Sequence, residues 1–174
     1  MEQLVEQGLV RNIGLSNFTV NGIRDVLNYS KVKPAVLQNE LHPYNTGEKL
    51  IRFCRERGIA VTAYSSLGAG SYVQMGLATL EMSCLTDPVI KEIADKHGKS
   101  AAQVTLRWSV QRGVSIVPKS EKEARIVENI DIFNGFNLST EEMDKISGLN
   151  RNIKFNDLCV NFEKFFNVFI PLFE

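Results

Sequence analysis

The sequence predicts an α/β fold built on parallel strands, and three observations lead there. Four short segments rich in β-branched residues recur with helix-patterned segments between them, the rhythm of βα units rather than of hairpins. Each strand-like segment is almost continuously apolar, as strands covered on both faces tend to be. The segments between them carry helix start and stop signals at fitting places.

In chain order, the strands fall at Val10 to Leu15, Ala35 to Asn39, Ile59 to Tyr64 and Val114 to Val117. After the first, Ile23, Val26 and Leu27 share one helical face. Leu50, Ile51 and Cys54 do so after the second, and that helix stops at Gly58. Asp87 and Pro88 supply an N-cap and first helical position for Val89 to His97, which ends at Gly98. Ala101 to Gln111 forms the next helix, up to Gly113. Ser120 with Glu123, and Ser139 with Glu142, fit the capping box, in which a side chain and a backbone amide satisfy one another at each position. The Gly- and Ala-rich stretch Ser65 to Thr86 is weakly patterned and reads as a functional loop after the third strand. No repeat or linker divides the chain, so 1–174 reads as one unit.

Composition bounds the partners. Twenty Lys and Arg balance twenty Asp and Glu, so nothing in the charge favours nucleic acid or an anionic membrane. Cys54, Cys84 and Cys159 form no CxxC pair and no signal segment opens the chain, so free thiols in a reducing cytoplasm are expected, and no metal-ligand spacing emerges. The apolar run Phe162 to Phe173 is interrupted by Glu163, Lys164 and Pro171 and is too short to span a bilayer. It is expected to pack over the body of the protein. Trp108 and Val104 face the core, His42 is structural, His97 sits exposed near a helix C-terminus, and Gln111, Arg112, Glu141 and Glu142 are surface or capping groups.

Four motifs carry chemistry. Gly8-Leu-Val-Arg-Asn-Ile-Gly-Leu-Ser-Asn-Phe18 ends a strand in Ser16 and Asn17, which standing alone would read as helix capping. It is followed in order by Val36-Leu-Gln-Asn-Glu-Leu-His-Pro-Tyr44 and Ala63-Tyr-Ser-Ser-Leu-Gly68. Then comes Val117-Pro-Lys-Ser-Glu-Lys-Glu-Ala-Arg-Ile-Val-Glu-Asn129. In this last motif Lys119 and Arg125 offer positive charge, Ser120 a hydroxyl, and the helix that follows its positive dipole end, a combination suited to a phosphate.

Together these segments resemble the aldo-keto reductase family, with xylose and aldose reductase-like members nearest. The resemblance implies the C-terminal half of a (β/α)8 TIM barrel, with strands five to eight, their helices and the C-terminal tail. A complete barrel takes about 250 residues. It implies NADP(H) as cofactor: Ser16, Asn17 and Gln38 at the nicotinamide carboxamide, Tyr64 stacking on the nicotinamide ring, and Ser65 and Leu67 at the pyrophosphate. Lys119 and Ser120 would hold the adenosine 2′-phosphate, Arg125 would brace the adenine side, and Glu128 and Asn129 would contact the base. Glu121 and Lys122 replace neutral residues commonly found after the Lys-Ser pair, and the negative charge of Glu121 leaves NAD(H) open as well. In the tail, Asn152 to Asp157 resembles a substrate-facing segment with Asn156 at a sugar, although Leu158, Cys159 and Val160 depart from the Pro and Trp of those members.

The same resemblance places the catalytic Asp, Tyr, Lys and His on the first four strands, upstream of this sequence. No catalytic residue is therefore expected in this chain. The complete enzyme would reduce aldehydes or sugars, and the chain by itself is expected to be inactive. The alternative, from another class, is a half-barrel without chemistry that binds nucleotide or assembles with itself or with another half-barrel. The sequence leaves the oligomeric state open.

Overall fold

A computed structural model describes residues 1–157 and 163–168. Four parallel strands lie side by side in sequence order, β1 (Gly14–Ser16), β2 (Val36–Glu40), β3 (Ala60–Tyr64) and β4 (Ser115–Ile116). Each connection carries helix: α2 (Val20–Tyr29), α3 (Glu48–Arg55), then α4 (Gly70–Gln74), α5 (Pro88–His97) and α6 (Ala101–Gln111) between β3 and β4. A short helix α1 (Glu2–Glu6) precedes the sheet, and α7 (Glu123–Ile130) and α8 (Thr140–Ser147) follow it. The expected α/β class is observed.

The register sorts the strand residues into two faces. Leu15, Leu37, Val61, Ala63 and Ile116 pack against Ile23 of α2 and Ile51 and Cys54 of α3. On the opposite face Ser16, Gln38, Thr62 and Ser115 form one row across all four strands. Ser16, Gln38 and Ser115 are exposed, so this face is not covered as the apolar strand pattern had predicted. A second core gathers Ile90, Ile93, Val104, Trp108, Phe136 and Ile146 from α5, α6, α8 and the segment before α8.

The first strand is shorter than expected, since it begins at Gly14, with Ile13 contributing only a carbonyl that accepts from the Ala35 amide at 2.8 Å. Gly14 explains how closely β1 approaches β2: a Cβ there would lie 2.5 Å from Val36 Cγ1 and 2.8 Å from the Val36 carbonyl oxygen. The Ser65 to Thr86 stretch is not a structureless loop, because α4 and two 3₁₀ turns, Leu80–Met82 and Cys84–Thr86, organise it. Tyr72 of α4, Ala69 and Phe155 form a small core of their own beneath it.

Helix punctuation holds at most places. Asp87 accepts from the Val89 amide at 3.0 Å ahead of Pro88, and Gly98 takes φ 60° at the far end. Ser139 and Glu142 form the expected capping box, and Ser100 with Gln103 forms another. Ser120 with Glu123 does not. The Ser120 hydroxyl accepts from the Lys122 amide at 3.2 Å, a local turn that delays the helix, so α7 starts at Glu123 with Lys122 as its uncapped N-cap.

Three further expectations are corrected by packing. His97 is only partly exposed, with Nε2 3.1 Å from both oxygens of Glu142, the buried residue that also fills its expected capping place at the start of α8. Arg112 lies over the Trp108 ring at 4.1 Å, with its side chain 9% exposed. Phe165 and Phe166 are 56% and 67% exposed, more open than a tail packed over the body would be, while Lys164 donates to the Gly76 carbonyl at 2.9 Å. Phe162, Phe169 and Phe173, together with Leu158, Cys159 and Val160, lie outside the described residues. Trp108 and Val104 are fully buried as expected. Among the described residues no helix is long and apolar enough to cross a membrane, and no three His, Cys, Asp or Glu side chains gather as a metal site.

Candidate functional site

Parallel strands bring their carboxyl ends to one edge of the sheet, where an open α/β sheet offers a crevice. The turn residues there are unusual. Asn17 and Ser65, one residue past β1 and β3, take φ values of 61° and 50° without being glycine. Such backbone is uncommon for side-chain-bearing residues and clusters where a site must hold a set geometry.

The Tyr64 hydroxyl is the hub. It donates to Asn17 Oδ1 at 2.7 Å and accepts from Asn156 Nδ2 at 3.0 Å, which joins the ends of β1 and β3 to the C-terminal segment. Burial pushes this phenol up to about 12, even though the bonds to Asn156 and Asn17 work in the opposite direction. Tyr64 therefore keeps its proton at neutral pH. Ser16 and Gln38 lie on the same exposed face, with Gln38 paired in register to Ser16 and Glu40 paired to Tyr64. Ser65 shares a 3.0 Å hydrogen bond with the hydroxyl of Tyr72, and the Leu67 carbonyl accepts from the Cys84 thiol at 3.6 Å.

Beside Tyr64 a cleft of about 520 Å³ opens between Asn17, Asn39, the start of α3 and the segment carrying Asn150, Asn152 and Asn156. That segment is strapped over the strand ends. The Arg151 and Ile153 amides donate to the Tyr44 carbonyl at 3.1 and 3.0 Å, and the Phe155 and Asn156 amides donate to the Glu40 carboxylate at 2.7 and 2.9 Å. His42 is fully buried, with Nε2 3.0 Å from Glu40 Oε1 and its ring 5.0 Å from that of Phe155, the structural place expected of it.

The phosphate-suited residues lie beyond β4. Lys119 donates to Glu121 at 2.7 Å, both side chains being largely exposed, and this contact lowers the Glu121 carboxyl below its ordinary range. Arg125 is exposed on α7. Glu128 is engaged by the Ser100 hydroxyl, and Asn129 borders an apolar groove with Ile126, Ile130 and Phe133. Thus Asn17, Tyr64 and Asn156 are joined by direct bonds, with Ser16 and Gln38 in the adjoining row, whereas Lys119, Ser120, Arg125, Glu128 and Asn129 lie on the segment after β4, Lys119 bonded to Glu121 and Glu128 to Ser100. Sequence reasoning gave no role to Glu40, although a lone carboxylate in Gln38-Asn-Glu-Leu41, at the end of an apolar strand, is a readable signal.

The family described as Aldo/keto reductase family matches residues 1–151. A protein of Emericella nidulans, "Probable NAD(P)H-dependent D-xylose reductase xyl1", is 47% identical over 159 residues, covering 90% of this chain and 50% of its own length. The "NAD(P)H-dependent D-xylose reductase xyl1" of Aspergillus niger is 43% identical over the same span, with the same 90% and 50% coverage. The aldose reductase from Schistosoma japonicum superposes with a TM-score of 0.77 at 40% identity, over 88% of this chain and 46% of that one. MGS-M4, an aldo-keto reductase enzyme from a Medee basin deep-sea metagenome library, gives 0.78 at 32% identity, over 88% and 53%. The chain thus spans about half the length of the curated relatives it matches.

Proposed function

The chain belongs to the aldo/keto reductase family, and from that premise we propose that it is the C-terminal, cofactor-binding half of a (β/α)8 reductase that reduces aldehydes or sugars with NADPH. The observation that carries this reading is the cluster at the strand ends, in which Tyr64 is fixed by Asn17 and Asn156 beside exposed Ser16 and Gln38. The whole of 1–174 then belongs to one such domain, working in the cytoplasm on a small carbonyl compound.

The residues present fit a phosphorylated nicotinamide dinucleotide. Ser16, Asn17 and Gln38 offer the donor and acceptor groups that a carboxamide needs, and Tyr64 offers a ring held in place by two hydrogen bonds. In this reading Ser65 and Leu67 would contact the pyrophosphate, and Lys119, Ser120 and Arg125 would receive a 2′-phosphate, with Glu128 and Asn129 at the base. When bound, the nucleotide supplies hydride. Asn156 is the substrate-facing residue of this reading. The proton donor belongs to the Asp, Tyr, Lys and His set expected on the other half, so this chain by itself is inactive.

Binding supplies the test. The chain titrated with NADPH should quench or enhance nucleotide fluorescence saturably, and Lys119→Met or Arg125→Ala should weaken NADPH far more than NADH. Equal loss for both nucleotides refutes the 2′-phosphate assignment. The same chain should turn over no aldehyde with NADPH, and turnover abolished by a substitution within 1–174 would refute the placement of the acid.

One feature favours the second reading, a half-barrel that assembles without chemistry. Val127, Ile130 and Phe133 are each more than 60% exposed, beside the apolar groove along β4. Light scattering that returns a discrete assembly without nucleotide binding would select that reading over the first.

A further inference from the structure

A buried carboxylate is expensive to keep unless each of its oxygens is engaged. Glu40 meets that condition in a particular way. Its side chain is 3% exposed, and its partners are the Phe155 amide at 2.7 Å, the Asn156 amide at 2.9 Å and His42 Nε2 at 3.0 Å. Two of these groups lie 115 and 116 positions away in sequence, so the carboxylate closes a long-range polar link. The same residue is the register partner of Tyr64 on the neighbouring strand.

We propose that Glu40 is a positioning residue that sets the side chain of Asn156 against the Tyr64 hydroxyl, and so fixes one wall of the cleft at the strand ends. Upstream, the segment is held by the Tyr44 carbonyl, and the Phe155 ring is wedged between His42 at 5.0 Å and Tyr72 at 5.7 Å. The last two amides before the Asn156 side chain are held by Glu40, each on its own oxygen. Rotation or withdrawal of that carboxylate moves the Asn156 backbone, and with it the amide that lies 3.0 Å from Tyr64. A glutamine cannot replace it, because one of its two terminal groups is a donor and would face a backbone N–H.

This inference rests on reading Tyr64 and Asn156 as ligand-facing, but its test needs no ligand. In the full chain labelled with ¹⁵N, Tyr64→Phe removes the acceptor and shifts the Asn156 side-chain amide resonances. Glu40→Gln should shift the same resonances in the same direction although Glu40 does not touch that amide. In the Tyr64→Phe background it should add no further shift. The Phe155 and Asn156 backbone amides should exchange roughly ten- to a hundredfold faster, as expected when a charge-assisted bond is lost. Glu40→Asp keeps the charge and retracts it by one methylene, so it should give a smaller shift of the same sign, and it decides the question if the glutamine variant does not fold. Asn156 side-chain resonances that stay at their native positions in both Glu40 variants, while the backbone amides lose protection, would reduce Glu40 to a fold staple and overturn the proposal. Failure of the native chain to bind NADPH would count against the cofactor reading and leave this coupling measurable.

Discussion

Replacing Glu142 with glutamine should destabilise the protein at neutral pH, and much less so in acid. Burial by itself would raise this carboxyl, yet Lys96 at 2.6 Å, the Ser139 amide at 2.8 Å and His97 at 3.1 Å outweigh it and bring it from an ordinary 4.5 down to about 2. Its side chain is only 7% exposed, so solvent screens these contacts weakly. A depressed carboxyl contributes stability that is complete above its unfolded value of 4.5 and is lost as pH falls toward about 2. At 1.36 kcal/mol per unit the full contribution is about 3 kcal/mol, and less than half of it remains at pH 3. With a urea dependence of roughly 2 kcal/mol per molar, the native and Glu142→Gln midpoints should differ by roughly 1 M or more at pH 7. Urea unfolding followed by far-ultraviolet circular dichroism at pH 7 and pH 3 measures both gaps. Subtracting the variant cancels the titration of the groups that Glu142 does not touch. A gap that is equal at the two pH values, or larger in acid, would refute the reasoning.

Other substitutions probe the site and the sheet. Glu121→Gln frees Lys119 from its 2.7 Å partner, so the dissociation constant for NADPH should fall roughly two- to fivefold at low salt, while that for NADH should barely change, by fluorescence titration. Gly14→Val places a Cβ against the Val36 carbonyl and should cost roughly 1–3 kcal/mol in urea unfolding, because β1 must move off β2. Gly70→Ala, where no neighbour lies within 4 Å, should stay within roughly 0.5 kcal/mol. Arg112→Met removes the bonds to the Thr46 carbonyl and Glu48 and the contact over Trp108, and should lower the unfolding free energy by roughly 1–3 kcal/mol in urea unfolding.

Capping boxes show how far local pattern carries. The same Ser-x-x-Glu or Gln spacing occurs at Ser100, Ser120 and Ser139, and it closes at Ser100 and Ser139 only. At those two places the helix behind the cap buries residues, Val104, Leu106 and Trp108 in α6 and Ile146 in α8. Helix α7 buries none, so nothing anchors its first turn against the competing bond from Ser120 to the Lys122 amide. Similarly, the sequence reads Glu142 as a capping group for Ser139 and His97 as an exposed group, with no link between them, because nothing local joins residues 45 positions apart. They meet when α8 packs on α5.

The periodic apolar segments, the Asp87-Pro88 start and the Gly98 stop determined which parts of this chain become strand or helix, since these signals act within a turn or two of backbone. The motif residues at the strand ends were likewise legible, because a parallel sheet delivers the ends of its strands to one edge. Tertiary structure alone decided that Asn17, Tyr64 and Asn156 bond to one another, that Glu40 holds the segment carrying Asn156, and that Lys119 is paired with Glu121. Hydrogen bonds between groups far apart in sequence, or between two flexible side chains, depend on distances that only the packed chain sets.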